Sequence, residues 1–299
     1  MHRKNKLTRY NWADRVFLTV DFIVLFIFFL LIAYPLLFII SASFDSANST
    51  LSASLIPRQF SLEGYRAVFE YEYIWIGYRN SLIYTVLYVV ISLTVTICCA
   101  YPLSRDDFKG RGIIMVMCLI TMYFSGGLIP SYLIINSIGL NNTLWAVVLP
   151  GALSVYNMIV IRTYFRTQIP SELFESAQLD GCGNIYYLLR IVLPLSVPIL
   201  AVIALFNAVG MWNSYFSSMI YLQDRNKFPL QLILREILIT NTLDPTTLIG
   251  NEGLLGTLME RKNLMKYSVI VVASLPVMIA YPFVQKYFVK GIMIGAIKG

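Results

Sequence analysis

The stretch Glu172–Pro198, ELFESAQLDGCGNIYYLLRIVLPLSVP, is polar and helix-forming and lies between two long apolar runs. A bilayer lends no stability to so polar an interruption, so the segment is best explained as a surface that a soluble partner grips. Pro170 followed by Ser171-Glu172 reads as a helix start, with Ser171 capping the free amides and Glu172 in the positive first turn. The helix is expected to run from about Glu172 to Gln178 or Asp180. Gly181 and Gly183 then end it by permitting a left-handed turn. A side chain at Gly181 would also hinder the close approach of a partner. Pro194 opens the next apolar run, where a missing amide costs least. The bland alternative is an ordinary amphipathic helix in a loop between spans.

The rest of the chain supports a membrane setting. It has 299 residues, 58% hydrophobic and 13% charged, with a mean hydropathy of +0.69. A soluble domain of this size cannot hide so much apolar surface. The net charge of +7 is spread over the ends of apolar runs rather than gathered in one patch. That pattern marks an inner-membrane protein and argues against a nucleic-acid partner. Cys98, Cys99, Cys118 and Cys182 show no metal or redox spacing. Arg3, Lys4, Lys6 and Arg9 precede an apolar run as in a signal peptide, but Val16–Ala42 is far longer than the roughly 7–15 residues of a signal core. The run is therefore read as a retained span.

A bilayer-crossing helix needs roughly 20 mainly apolar residues. Six segments qualify: 16–42, 80–103, 113–136, 144–166, 195–220 and 268–290. Backbone polar groups must be paired inside lipid, and the short alternating strands of a barrel are absent from the sequence, so an all-α membrane protein with six transmembrane helices is expected. Residues 1–15 form an N-terminal segment, 43–79 a first outer loop, 80–290 the core with outer loop 221–267 and inner loop 167–194, and 291–299 a tail. Fourteen of the 23 Lys and Arg residues fall on the side holding both termini. The short 104–112 loop is basic and the short 137–143 loop is uncharged, so both termini and the 167–194 loop are placed in the cytoplasm. Within the outer loops, about Leu62–Glu70 and Leu232–Ile239 read as short helices. The Gly- and Pro-bearing stretch Thr240–Gly256 reads as a projecting, mobile tip.

Three further stretches carry chemistry. Phe206–Phe216, FNAVGMWNSYF, places Asn207, Met211, Trp212, Asn213 and Tyr215 in a span. Aromatic rings stack on the C–H faces of sugars and amides bond their hydroxyls, whereas the alternative is helix–helix bonding plus an interfacial aromatic belt. Met122–Pro130 contains Tyr123 and then Gly126, Gly127 and Pro130, which break a straight helix, at a gate or only for packing. The tail, KGIMIGAIKG, suits a narrow groove through its glycines; a frayed terminus is the alternative. Enzyme signals are missing: the only histidine is His2, and there is no G-x-x-x-x-G-K-[ST] phosphate loop.

Glu175-Ser176-Ala177, Gly181 and Ile191-x-Leu193-Pro194 closely resemble the cytoplasmic EAA loop of ATP-binding-cassette (ABC) importer permeases, with Ser176 in place of the first Ala. FSGGLIPSYL, VGMWNSYF, FPLQLILREIL and the tail make the chain most similar to the LplC-type branch of carbohydrate permeases related to the maltose type. The resemblance implies a type I (MetI-like) importer permease fold. It also implies a second, homologous permease forming a heterodimer, two copies of an ABC ATPase that bind ATP and Mg, and an extracellular solute-binding (lipo)protein. No cofactor is expected in this chain. Glu172, Glu175, Ser176, Ala177, Asp180, Gly181, Ile191, Leu193 and Pro194 would form the ATPase-coupling element. Gly295, Lys298 and Gly299 of the tail would also touch the ATPase, and the 221–267 loop would contact the binding protein. Tyr123, Asn207, Met211, Trp212, Asn213 and Tyr215 would line the path of an oligosaccharide or polysaccharide fragment. Aromatics and amides with few intramembrane charges point to a hydroxyl-rich ligand, neutral or only locally charged. A non-transporting scaffold or sensor, or a permease for a peptide, stands as the alternative.

Overall fold

Where the apolar runs are unbroken, the chain forms two long helices: α1 (Trp12–Ser43) of 32 residues and α3 (Glu72–Ser104) of 33. At 1.5 Å per residue each measures about 50 Å, more than the roughly 30 Å hydrocarbon core of a bilayer. The computed structural model describes residues 11–45, 56–57, 59–239, 265–280 and 282. Among these there is no β-strand, only an isolated bridge between Asp45 and Phe60. The chain divides into two compact units, residues 1–68 with 243–272, and residues 69–242 with 273–299.

In the first unit, α1 begins ahead of the expected residue 16 because Asn11 and Asp14 make a capping box. The Asn11 side chain accepts from the Trp12 amide at 2.8 Å, and Asp14 accepts from the Asn11 amide at 3.1 Å. Its far end meets the start of α14 (Met265–Ala280), where the Phe38 and Tyr267 rings lie edge-on at 6.0 Å. The Ser268 hydroxyl donates to the Ser43 carbonyl at 3.1 Å.

The second unit is built on α3, with α7 (Val155–Gln168) and α11 (Val197–Trp212) along its length and α13 (Leu230–Ile239) against its outer end. The expected helices of the outer loops are present as α2 (Glu63–Glu70) and α13. Gly77 lets α13 come close: a Cβ there would lie 3.0 Å from the Leu230 Cα and 3.2 Å from its nitrogen. Gly77→Val is therefore expected to lower stability by about 1–3 kcal/mol through overpacking. Thermal unfolding in detergent checks this; an unchanged midpoint would mean that α13 is not seated on α3.

Several expected spans are not single helices. Residues 113–136 form α4 (Arg111–Tyr123) and α5 (Leu128–Ser137), bent by 111°. The break falls at 124–127, where Gly127 takes φ 85°. Pro130 is not at the break but in the first turn of α5, where its missing amide had no partner to lose. Residues 144–166 divide into α6 (Leu144–Val148) and α7, separated by a turn through Pro150 and Gly151, the latter at φ 80°. In 195–220 the chain runs from α11 into α12 (Phe216–Tyr221). Two described helices are long and apolar enough to cross a membrane unaided, or up to four spans if each bent pair is one. Of the sixth expected span, α14 is described; most of 281–290 and the tail lie outside the described residues.

Polar side chains bind the long helices to one another. The Asn207 amide of α11 donates to Ser92 of α3 at 3.0 Å and accepts from Asn157 of α7 at 3.1 Å. Such bonds hold helices together where no water can substitute.

Candidate functional site

The 167–194 loop folds as its sequence directs. α8 (Ser171–Leu179) matches the expected helix. One detail differs: Pro170 is the N-cap and Ser171 the first helical residue, with no side-chain cap. The C-terminus is closed by Gly181 at φ 77°. The Cys182 amide reaches back to the Ala177 carbonyl at 2.8 Å and the Gly181 amide to Gln178 at 3.0 Å, a Schellman motif. Gly183 does not share this role, since its φ is −75° and it precedes α9 (Asn184–Tyr187). Leu188–Val192 continue as a π-turn into α10 (Leu193–Leu195). The wider turn accommodates Pro194, which therefore sits inside a continuing helical path rather than opening the next run. A bend of 80° then leads into α11.

Of α8, only Phe174 and Ala177 are buried. They join Ala100 and Leu103 of α3, Ile161 and Phe165 of α7, Tyr187, and Ile203 of α11 in one apolar cluster. Glu172, Glu175, Ser176 and Asp180 face outward. Leu179 is 90% exposed. The Ser176 hydroxyl folds back onto the Glu172 carbonyl at 2.9 Å, so at this surface it acts as a small residue. Ile191 and Leu193 are half-buried and Pro194 is exposed, while Val192 between them is buried. Ala177, Asp180, Gly181, Cys182, Gly183, Tyr186 and Ile191 line a groove of about 510 Å³ on one side of α8.

On the other side lies a second groove of about 720 Å³, bordered by Arg105, Asp106, Asp107, Arg166, Glu172 and Glu175. The Arg105 guanidinium lies 3.1 Å above the centre of the Phe174 ring, which meets Tyr187 edge-on at 5.1 Å. Arg105 also donates twice to Asp107, at 3.1 and 3.2 Å. Asp106 pairs with Arg111, whose guanidinium also donates to the Arg105 carbonyl at 2.9 Å. Hydrogen bonding from Arg111 holds the Asp106 carboxyl below its usual range, and Arg105 does the same for Asp107. Because both values are lowered on folding, these pairs stabilise at neutral pH and fail only as the pH falls through the lowered values. In the sequence Arg105 and Arg111 stand out only as part of the basic 104–112 loop, and Phe174 and Tyr187 carry no expected role. The legible signal is the i, i+3 spacing of Phe174 and Ala177 on one helix face.

The expected path residues separate. Asn207 is buried and spends its amide on Ser92 and Asn157, which is helix bonding rather than exposure to a path. Trp212 is buried, donates to the Ala273 carbonyl at 3.3 Å and lies 6.0 Å from the Tyr78 ring. Met211 packs against an outer apolar cluster with Tyr84, Val147 and Leu222. Asn213 and Tyr215 are exposed at the break between α11 and α12. There α13 brings Gln231 to 3.5 Å from Asn213 and the Arg235 guanidinium to 5.8 Å from the Tyr215 ring. Tyr123 is exposed at the end of α4. Gly295, Lys298 and Gly299 lie outside the described residues, as does the 240–256 tip.

Near the start of α3, at the opposite end from Arg105, the first part of the 221–267 loop is firmly held. Asn142, at φ 56°, accepts from the Gln223 and Asp224 amides at 3.1 Å each, and Lys227 donates to its carbonyl at 2.9 Å. Asn80 donates to the carbonyls of Asn226 and Phe228 at 2.8 and 3.0 Å, and Tyr84 to that of Lys227 at 2.7 Å. Arg225 pairs with Glu236 at 2.9 Å and lies over the Tyr73 ring.

A helical membrane chain with an outward-facing loop helix seated on its core helices is the architecture of an importer's membrane subunit, and residues 74–294 match the corresponding sequence pattern. The chain belongs to the family of binding-protein-dependent transport system inner membrane components. It is 39% identical over 284 residues to the polygalacturonan/rhamnogalacturonan transport system permease protein YtcP of Bacillus subtilis (strain 168), covering 92% of this chain and 96% of the relative. It is 40% identical over 267 residues to Protein LplC of the same organism, covering 89% of each. Among solved structures it is similar to a bacterial ABC transporter chain involved in import of the acidic polysaccharide alginate, with a TM-score of 0.83 and 32% identity over 93% of this chain and 99% of that one. The type I importer permease fold and the multi-pass inner-membrane setting are thereby established.

Proposed function

We propose that this chain is the membrane-spanning permease subunit of an ATP-driven, binding-protein-dependent importer of oligosaccharides, with ATP hydrolysed on a separate ATPase. The observation that carries this reading is α8: a short helix with an outward row of carboxylates and an exposed Leu179, seated on three core helices by Phe174 and Ala177. Such a helix suits the transmission of force from a soluble partner better than a place in a closed scaffold. Glu172, Glu175, Ser176, Asp180 and Gly181 would meet the ATPase, and Gly295, Lys298 and Gly299 of the tail would add to that contact. A second, homologous permease would complete the path, and a solute-binding protein would deliver substrate from outside. Both termini would be cytoplasmic.

For substrate, the names of the relatives favour acidic polysaccharide fragments. The group Asn213, Tyr215, Gln231 and Arg235 supports this: a ring, two amides and a guanidinium with no carboxylate partner among the described residues. The test is uptake of labelled galacturonate oligosaccharides by membrane vesicles holding the whole complex, against neutral arabinan oligosaccharides. ATP-dependent uptake of the acidic set is expected. Uptake of the neutral set alone would overturn the acidic assignment, and purification of the chain without any ATPase would overturn the importer reading.

A further inference from the structure

Resting on the docking reading of α8, we infer that Arg105 is a positioning residue that couples the movement of α8 to α3. Among the described residues α8 has no extended helix–helix interface; a few side chains seat it. Phe174 and Ala177 make apolar contacts, which permit sliding. Arg105 is different. It is the first residue beyond α3, its guanidinium carbon lies 3.1 Å from the centre of the Phe174 ring, and it donates through two of its nitrogens to Asp107.

The turn that carries Arg105 is itself held from two other helices. Arg111 of α4 donates to the Arg105 carbonyl at 2.9 Å, and Arg162 of α7 donates to the Leu103 carbonyl at 2.8 Å. A displacement of α8 therefore reaches the end of α3 through the stacked pair as well as through the apolar cluster, on a turn that two other helices hold. α3 is one continuous helix of 33 residues, with Pro102 in its last turn just before Arg105. At its far end Asn80 and Tyr84 hold the backbone of residues 226–228, where the outer loop begins. One helix thus joins the surface that meets the ATPase to the outer strap.

The test uses the assembled complex in liposomes, with ATP hydrolysis measured alone and with binding protein loaded with a galacturonate oligosaccharide. Arg105→Ala is expected to retain the ATPase on purification and to keep basal hydrolysis, while stimulated hydrolysis falls about tenfold, within the range of ordinary coupling energies. Phe174→Tyr, which keeps the ring, should retain stimulation. Phe174→Leu, which keeps apolar bulk without the ring, should behave as Arg105→Ala does. The double variant should be no worse than either single one. Full stimulation in Arg105→Ala or in Phe174→Leu would overturn the inference. So would loss of the ATPase from Arg105→Ala, which would make the contact one of assembly. If the wild-type chain retains no ATPase, the docking reading itself fails, before any variant is compared.

Discussion

Leu179→Asp is expected to strip the ATPase from the complex while leaving the fold of this chain intact. Leu179 is 90% exposed, and it ends a helix whose apolar inner face is already satisfied by Phe174 and Ala177. Among the described residues little is lost when it changes. Burying a leucine against a partner contributes about 1.5–3 kcal/mol. A carboxylate in its place forfeits that and adds a desolvation cost against a surface already lined by Glu175 and Asp180. Association should therefore weaken by about tenfold to several hundredfold, at 1.4 kcal/mol per decade. Titrating purified ATPase against the detergent-solubilised permease pair reads this directly, and thermal unfolding of the chain should not shift. Undiminished binding would remove Leu179 from the interface.

Phe174→Ala should do the opposite, damaging the seat rather than the docking surface. The ring is buried among Leu103, Phe165 and Tyr187 and carries the Arg105 guanidinium. Truncating a buried phenylalanine costs about 3–5 kcal/mol. Because the loss is confined to the cluster beneath α8, the damage should appear as local release of the 170–183 segment. Limited proteolysis should cut there first, and uptake should fall with it. A variant as resistant as the wild type would show that Ala177 and the Schellman turn suffice to hold the helix.

Much of this site was legible in the sequence. The bounds of α8 follow from Pro170 at one end and Gly181 at the other, both local effects of single residues on backbone dihedrals. The short helices α2 and α13 follow likewise from periodicity. The group proposed to meet substrate was only half legible. Asn213 and Tyr215 stand at an exposed break, but Gln231 and Arg235 join them from a different helix. Asn207 has the same chemistry as Asn213 and a different use, because the faces of α3 and α7 opposite it carry Ser92 and Asn157.

By itself the sequence determined the class of protein: apolar runs too long for a soluble core, basic residues at the ends of those runs, and one polar helix between spans. These depend on solvent and on dihedrals within a few residues, so they can be read along the chain. The tertiary structure alone decided where the spans break, which outer-loop backbone is clasped, and how α8 is tied to α3. Asn80 and the carbonyl of Asn226 are 146 positions apart, and Arg105 meets Phe174 only because α3 and α7 end side by side above α8. No local pattern encodes such pairings; they exist once packing has chosen which helix faces meet.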